Sequence, residues 1–239
     1  SLGELRVSGP FDATKLEGRL KVELTGVDRK LLNLAGAANG LDFGSTTLNA
    51  TGDVELAKAG AQISAAGRLD IAKFQVTRQG QTTPTLDLRC DYSVAVDSTA
   101  KSALLKTLNL AGTQGQRPLL QASLTAPMTV AWGDTANAVG DSALNVNVTA
   151  LDLADWKPFL GDLAPAGKVD VNAKLLSQQA GKLLQFEAKA GVEGLVVVAG
   201  TNRFAGLGVN VEARGQASDM KQFKLAAYTA RLAQNGQQV

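Results

Sequence analysis

The amino-acid sequence predicts an all-β protein: a long, curved antiparallel meander forming an open groove, with a few short helices. Three observations carry this. Apolar and polar residues alternate with a period of two over most of the chain, as in strands with one dry and one wet face. Short clusters rich in Gly, Asn and Gln separate the alternating runs, as hairpin connections do. One short motif (glycine, charge, aliphatic, charge, aliphatic) opens at Gly18, Gly52, Gly67 and Gly167. Its irregular spacing fits a growing sheet better than a solenoid with fixed rungs.

In chain order, Leu5–Val7 is a short first strand. Leu16–Thr25 follows, with Leu20, Val22 and Leu24 dry and Glu17, Arg19, Lys21 and Glu23 wet. Asp28–Leu34 reads as a helix and Asn39-Gly40 as a turn. Alternation returns at Leu48–Leu56, where Val54 is dry, and at Ile63–Ile71, where Leu69 is dry and Arg68 and Asp70 are wet. Phe74 and Val76 then change parity, so one extra residue, a β-bulge, is predicted near Ala72-Lys73. After the turn at Gln79–Gln81, residues Leu86, Leu88, Cys90, Tyr92, Val94 and Val96 hold one phase.

Ser98–Leu108 reads as a second helix, capped by Asp97 or Ser98, with Ala100, Leu104, Leu105 and Leu108 on one side. Strands are predicted at Leu120–Trp132, Leu144–Ala150, Val169–Leu175, Leu184–Ala190 and Leu207–Ala213. Shorter runs stand at Leu195–Val198 and Phe223–Leu225. Leu153–Leu163 is a third helical segment. Turn clusters lie at Gly112–Gln116, Gly133–Gly140, Gly200–Asn202 and Asn235-Gly236. Residues 1–239 read as a single β-rich segment with a weak subdivision near 134–143.

Composition narrows the function. Apolar residues are 45% and aromatics only 5%, so Leu, Val and Ala must supply any core. The net charge of +2 is interleaved rather than clustered, which leaves no basic footprint for nucleic acid. There is no histidine and one cysteine, Cys90. That removes the commonest general base and metal ligand, an internal disulfide and every cysteine-based zinc motif. No run approaches the roughly 20 apolar residues of a membrane-spanning helix. The start at Ser1 has no signal-peptide profile and is already alternating, so the chain reads as a segment of a longer protein whose targeting elements lie outside it.

Several short motifs mimic chemical sites and lack the necessary context. Gly161–Lys168 has five residues between its glycines, Val169 where a phosphate loop has Ser or Thr, and a strand rather than a helix after it. Ser98-Thr99-Ala100-Lys101 has the Ser-x-x-Lys spacing of serine acyl enzymes without their partner motifs. Asp134, Asn137 and Asp141 lack the spacing of an EF-hand loop. The acceptor patterns at Asn49 and Asn147 lie inside predicted strands. Cys90 is in phase with Leu86, Leu88 and Val94 and reads as a small buried hydrophobe. The reading is a non-enzymatic protein with no cofactor and no metal.

What remains is the dry face. A closed β-sandwich would split it between two facing layers. An open, curved sheet would present it as a continuous groove. The predicted groove lining comprises Leu20, Val22, Leu24, Val54, Leu56, Leu69 and Ile71. It continues through Leu88, Tyr92, Val94, Val96, Leu124, Met128 and Val130. Leu144, Val146, Val148, Val169, Val171 and Phe186 complete it. The cargo that suits such a surface is a phospholipid acyl chain. At about 0.8 kcal/mol per methylene, sixteen carbons cost on the order of 12 kcal/mol to expose to water. The competing expectation is a structural or adhesive β domain of a surface or secreted protein, with a closed core and no ligand.

The recurring strands at Gly18, Gly52, Gly67 and Gly167, with the stretch Leu151–Gly161 followed by Pro165–Val171, resemble the AsmA-like family of bacterial envelope proteins. The resemblance covers most of the chain through degenerate motifs. It implies a periplasmic part of a protein anchored in the inner membrane by a helix outside this chain. It further implies a role in carrying phospholipid between the inner and outer membranes or in outer-membrane assembly. The implied partners are other segments of the parent chain and inner- and outer-membrane proteins. The family carries no catalytic residues over to this sequence.

Overall fold

The computed structural model describes residues 3–132, 140–157, 166–179, 182–199, 201–218 and 222–238. Its strands are β1 (Glu4–Ser8), β2 (Phe11–Asp12), β3 (Glu17–Val27), β4 (Leu41–Asp42), β5 (Thr47–Ala57) and β6 (Gln62–Phe74). Next come β7 (Thr77–Arg78), β8 (Gln81–Thr82), β9 (Leu86–Asp97), β10 (Ser102–Gln114), β11 (Arg117–Ala126) and β12 (Met128–Ala131). The last are β13 (Ser142–Asp152), β14 (Ala166–Gln178), β15 (Leu183–Ala199), β16 (Asn202–Ser218), β17 (Gln222–Gln234) and β18 (Gln237–Gln238). The helix α1 spans Arg29–Gly36.

A single 15-stranded sheet dominates, in the order β1-β3-β5-β6-β9-β10-β11-β13-β14-β15-β16-β17-β18, with β2 on β3 and β12 on β10. Every pairing is antiparallel. The sheet does not close on itself, and among the described residues no second layer packs on it: its long strands contact those beside them in this order. Among the described residues the buried apolar side chains are Val27, Leu119, Val196 and Ala217. All four lie towards strand ends, so no closed core runs down the middle of the molecule.

The two rims differ. At one, the chain makes excursions between β3 and β5 and between β6 and β9. These meet as a small sheet, β4-β7-β8, beside α1. Asp28 caps α1, its side chain accepting from the Lys30 N–H. The buried Thr46 hydroxyl ties the excursions to the sheet, donating toward the Lys73 and Gln75 carbonyls and accepting from the Gln75 N–H at 3.0 Å. The opposite rim includes the tight connections 58–61 and 98–101.

Local signals explain most of the element boundaries. The parity change at Ala72-Lys73 is a true irregularity: the β6–β9 register shifts between Ile71 and Phe74, and Lys73 has φ 53°. Three expectations are corrected. Residues 102–108 are strand, not helix, and belong to β10. Its register shifts between Leu105 and Thr107, so Leu105 and Leu108 share a face three residues apart, which imitates a helical spacing. Asp97 does cap locally, but its carboxylate closes the turn at the Ala100 N–H. Leu120–Trp132 is two strands, because Pro127 has no N–H to continue the ladder and β12 pairs instead with the start of β10. Leu195–Val198 is not a separate strand but the far end of β15.

Of the third expected helix, Leu153–Trp156 is a short 3-10 turn, and its later part lies outside the described residues. So does most of the Gly133–Gly140 cluster, where the subdivision near 134–143 was expected; β12 and β13 flank it, and β13 pairs with β11.

The 58–61 hairpin yields a stability prediction. The Ala61 N–H donates to the Lys58 carbonyl, and the central residues Ala59 and Gly60 have φ of 55° and 77°, as a type I′ turn demands. Alanine is strained there and asparagine much less so. Ala59→Asn should stabilise the protein by about 0.5–1 kcal/mol, read as a higher urea midpoint, whereas Ala59→Val should lower it.

Candidate functional site

Directly opposed residues of neighbouring antiparallel strands point to the same side of the sheet. The pairings therefore trace transverse rows. One begins Leu5–Leu24–Ala50–Leu69–Cys90–Leu110. It continues Ala122–Val146–Ala173–Ala188–Ala213–Tyr228. No polar residue interrupts it until the Tyr228 phenol at the last long strand. At about 4.8 Å per strand this row runs on the order of 50 Å.

Its neighbours behave the same way. On one side lie Val27, Leu48, Ile71, Leu88, Gly112 and Leu120. That row goes on through Val148, Val171, Ala190, Val211 and Ala230. On the other side, Val22, Gly52, Gly67, Tyr92 and Leu108 align across the first strands. Leu124, Leu144, Leu175, Phe186 and Gly215 align across the later ones. Further towards the bare rim come Leu20–Val54–Ala65–Val94–Leu105–Met128 and Leu56–Ile63–Val96–Ala103–Val130. Val169 faces Leu151 and Val192 near the capped rim. Every residue predicted to line the groove thus lies on this one face.

Reading the sequence alone missed Leu110, Val192, Val209 and Val211, which also lie here. Leu110 stands between the false helix and the Gly112 turn cluster, and Val192 between two expected runs; Val209 and Val211 are in the expected strand Leu207–Ala213 but were not assigned to the lining. The alanines of the central row went unnoticed because a lone alanine carries little pattern signal.

Small residues let this face curl inward. In a flat antiparallel pair, opposed Cβ atoms are about 4.5–5.5 Å apart. A Cβ placed on Gly112 would lie 3.2 Å from the Leu120 Cβ and 3.0 Å from the Leu88 Cδ2. One on Gly67 would collide with the Thr51 carbonyl oxygen and lie 2.8 Å from the Gly52 Cα. The strands therefore tilt toward one another on the apolar side, which is concave. The Tyr92 ring reaches over the Gly52–Gly67 pair, its hydroxyl 3.5 Å from where a Gly52 Cβ would be. Phe186 covers Gly215 in the same way, its Cζ 2.7 Å from such a position.

The opposite face is polar and paired across strands. Arg68 meets Asp91 at 2.7 Å, Arg89 meets Asp70 at 2.8 Å and Arg19 meets Glu55 at 3.1 Å. Lys189 with Glu212 and Arg214 with Glu187 extend the pattern at 3.4 Å each. Such exposed pairs add at most about 1 kcal/mol each. Their larger effect is on register, because a slip of one residue would carry these charges onto the apolar face.

The concave face holds one thiol, Cys90, half-buried in the central row. Burial first, and the neighbouring Asp91 charge second, push its pKa above the usual thiol value, so it is protonated and slow to react at neutral pH. Among the described residues no cluster of His, Cys, Asp and Glu could hold a metal ion, and no helix is long and apolar enough to cross a membrane. What the arrangement can do physically is cover apolar chains along its length. No family model, curated protein or solved structure matches this chain.

Proposed function

We propose that this chain is a non-enzymatic lipid-carrying segment whose concave face shields phospholipid acyl chains from water. The observation that carries the reading is the central row, apolar from Leu5 to Ala213 on a face that no layer covers among the described residues. An apolar surface this long left open to water is costly unless something apolar lies on it. A track of aliphatic side chains lowers the on-the-order-of 12 kcal/mol cost of moving a sixteen-carbon chain through water, and it needs neither a catalytic group nor a cofactor. The resemblance to AsmA-like envelope proteins agrees with this. On this reading the work is done in the periplasm of a bacterium, in phospholipid transport between inner and outer membranes or in outer-membrane assembly, with other segments of a longer chain and membrane proteins as partners.

Native mass spectrometry with lipid extraction, on protein exported to the periplasm, tests the reading. Co-purifying phospholipid is expected. Cys90 supplies a second readout: stripping the lipid should speed its alkylation by iodoacetamide about tenfold, and adding phospholipid back should restore protection. A folded protein that carries no lipid, with Cys90 reacting at one rate throughout, would move the weight to a structural or adhesive β domain.

A further inference from the structure

We infer that the Tyr92 hydroxyl recognises the ester carbonyl of an acyl-ester lipid, so that the groove selects diacyl lipids over their ether analogues. The inference rests on the reading of the concave face as a lipid groove, and it names the chemical class of the cargo.

The chain has two tyrosines, and both stand on the concave face, Tyr92 on β9 and Tyr228 on β17. Tyr228 lies on the last long strand and is 74% exposed, where water reaches its phenol. Tyr92 is half-buried within an apolar field. Among the described residues it carries the only side-chain oxygen in the rows that cross β3, β5, β6, β9 and β10.

Two glycines place that oxygen. Gly67 faces Tyr92 and Gly52 faces Gly67, so no side chain stops the ring from lying along the sheet. The hydroxyl comes to rest over Gly52, 3.5 Å from where a Gly52 Cβ would be. By the pairing, Val22 stands beyond Gly52, and Ala50 and Val54 flank it along β5. Nothing among the described residues hydrogen-bonds with the phenol. Covering a glycine does not require a hydroxyl, because Phe186 covers Gly215 without one.

A phenol has one hydrogen to donate. In the open groove water accepts it. An acyl chain lying over Gly52 and Val22 expels that water, and a donor left unpaired then weakens binding about tenfold. The acceptors closest to hydrocarbon in a phospholipid are the ester carbonyls at the head of each chain. An ether lipid has a methylene in their place. No layer covers this face among the described residues, so an ester can sit over Gly52 while the phosphate stays in water.

The test offers the full chain, stripped of lipid, vesicles holding equal amounts of dioleoyl phosphatidylcholine and its diether analogue. Native mass spectrometry reads the bound ratio for the parent chain, Tyr92→Phe and Tyr228→Phe, each checked by circular dichroism. The parent and Tyr228→Phe are expected to hold the diester in about tenfold excess. Tyr92→Phe, which keeps the ring, should hold the two lipids within about twofold of each other. A parent chain that binds both alike, or a Tyr92→Phe chain that keeps the preference, would overturn the inference and leave the groove reading standing. Binding of neither lipid would overturn both.

Discussion

Gly67→Val should destabilise the protein by about 3 kcal/mol, at the upper end for overpacking, or stop it folding. The new Cβ would strike the Thr51 carbonyl oxygen and lie 2.8 Å from the Gly52 Cα. Both are backbone atoms of the neighbouring strand, so no side-chain rotation relieves the clash. Relief requires β5 and β6 to separate on the apolar side, which opens the ladder and flattens the curl. Gly208 is the control. A Cβ there meets only Ala233 at 3.8 Å and Val192 at 4.0 Å, so Gly208→Ala should be neutral or stabilise by about 0.5 kcal/mol through the unfolded chain. Urea titrations of the two variants decide it. Equal and small effects would mean that the concave face has room at Gly67 and is not sharply curled there.

Val54→Asp/Val94→Asp/Val146→Asp should abolish phospholipid retention, with at least about a hundredfold loss of affinity, while circular dichroism still reports a folded β protein. The three valines occupy two rows of the concave face: Val54 and Val94 share one, and Val146 lies in the central row, two rows away. Each is half-buried, so in the empty groove an aspartate can stay hydrated and the fold survives. With an acyl chain in place that water is expelled, and a carboxylate without a partner beside hydrocarbon is strongly disfavoured. The same changes on the polar face, for example Thr51→Asp and Ser93→Asp, should leave lipid retention intact. Lipid carried equally by both sets would mean that it does not lie on the concave face.

Much of this face is legible in the sequence, for a local reason. Period-two alternation is written residue by residue, so Leu20, Val22 and Leu24 had to share a side whatever the strand paired with. Even the bulge near Lys73 left its mark as a change of phase. The bulge inside β10 left an ambiguous mark, since Leu105 and Leu108 at a spacing of three satisfy a helix as well as an interrupted strand. Only the partners β9, β11 and β12 settle the matter, by supplying ladder hydrogen bonds that a helix there would forfeit.

Alternation by itself is equally compatible with a sandwich and a groove, because it assigns residues to faces without saying what lies opposite. The sequence alone therefore determined which side chains are dry and which are wet. Tertiary structure decided the rest: that Leu24 meets Ala50 and Ala173 meets Ala188 in one unbroken row, and that Gly52 and Gly67 oppose each other so the sheet can curl. It also left the dry face without a second layer among the described residues. Register and curvature arise between strands, from contacts that no single strand's sequence encodes, which is why they became visible only with the pairing in hand.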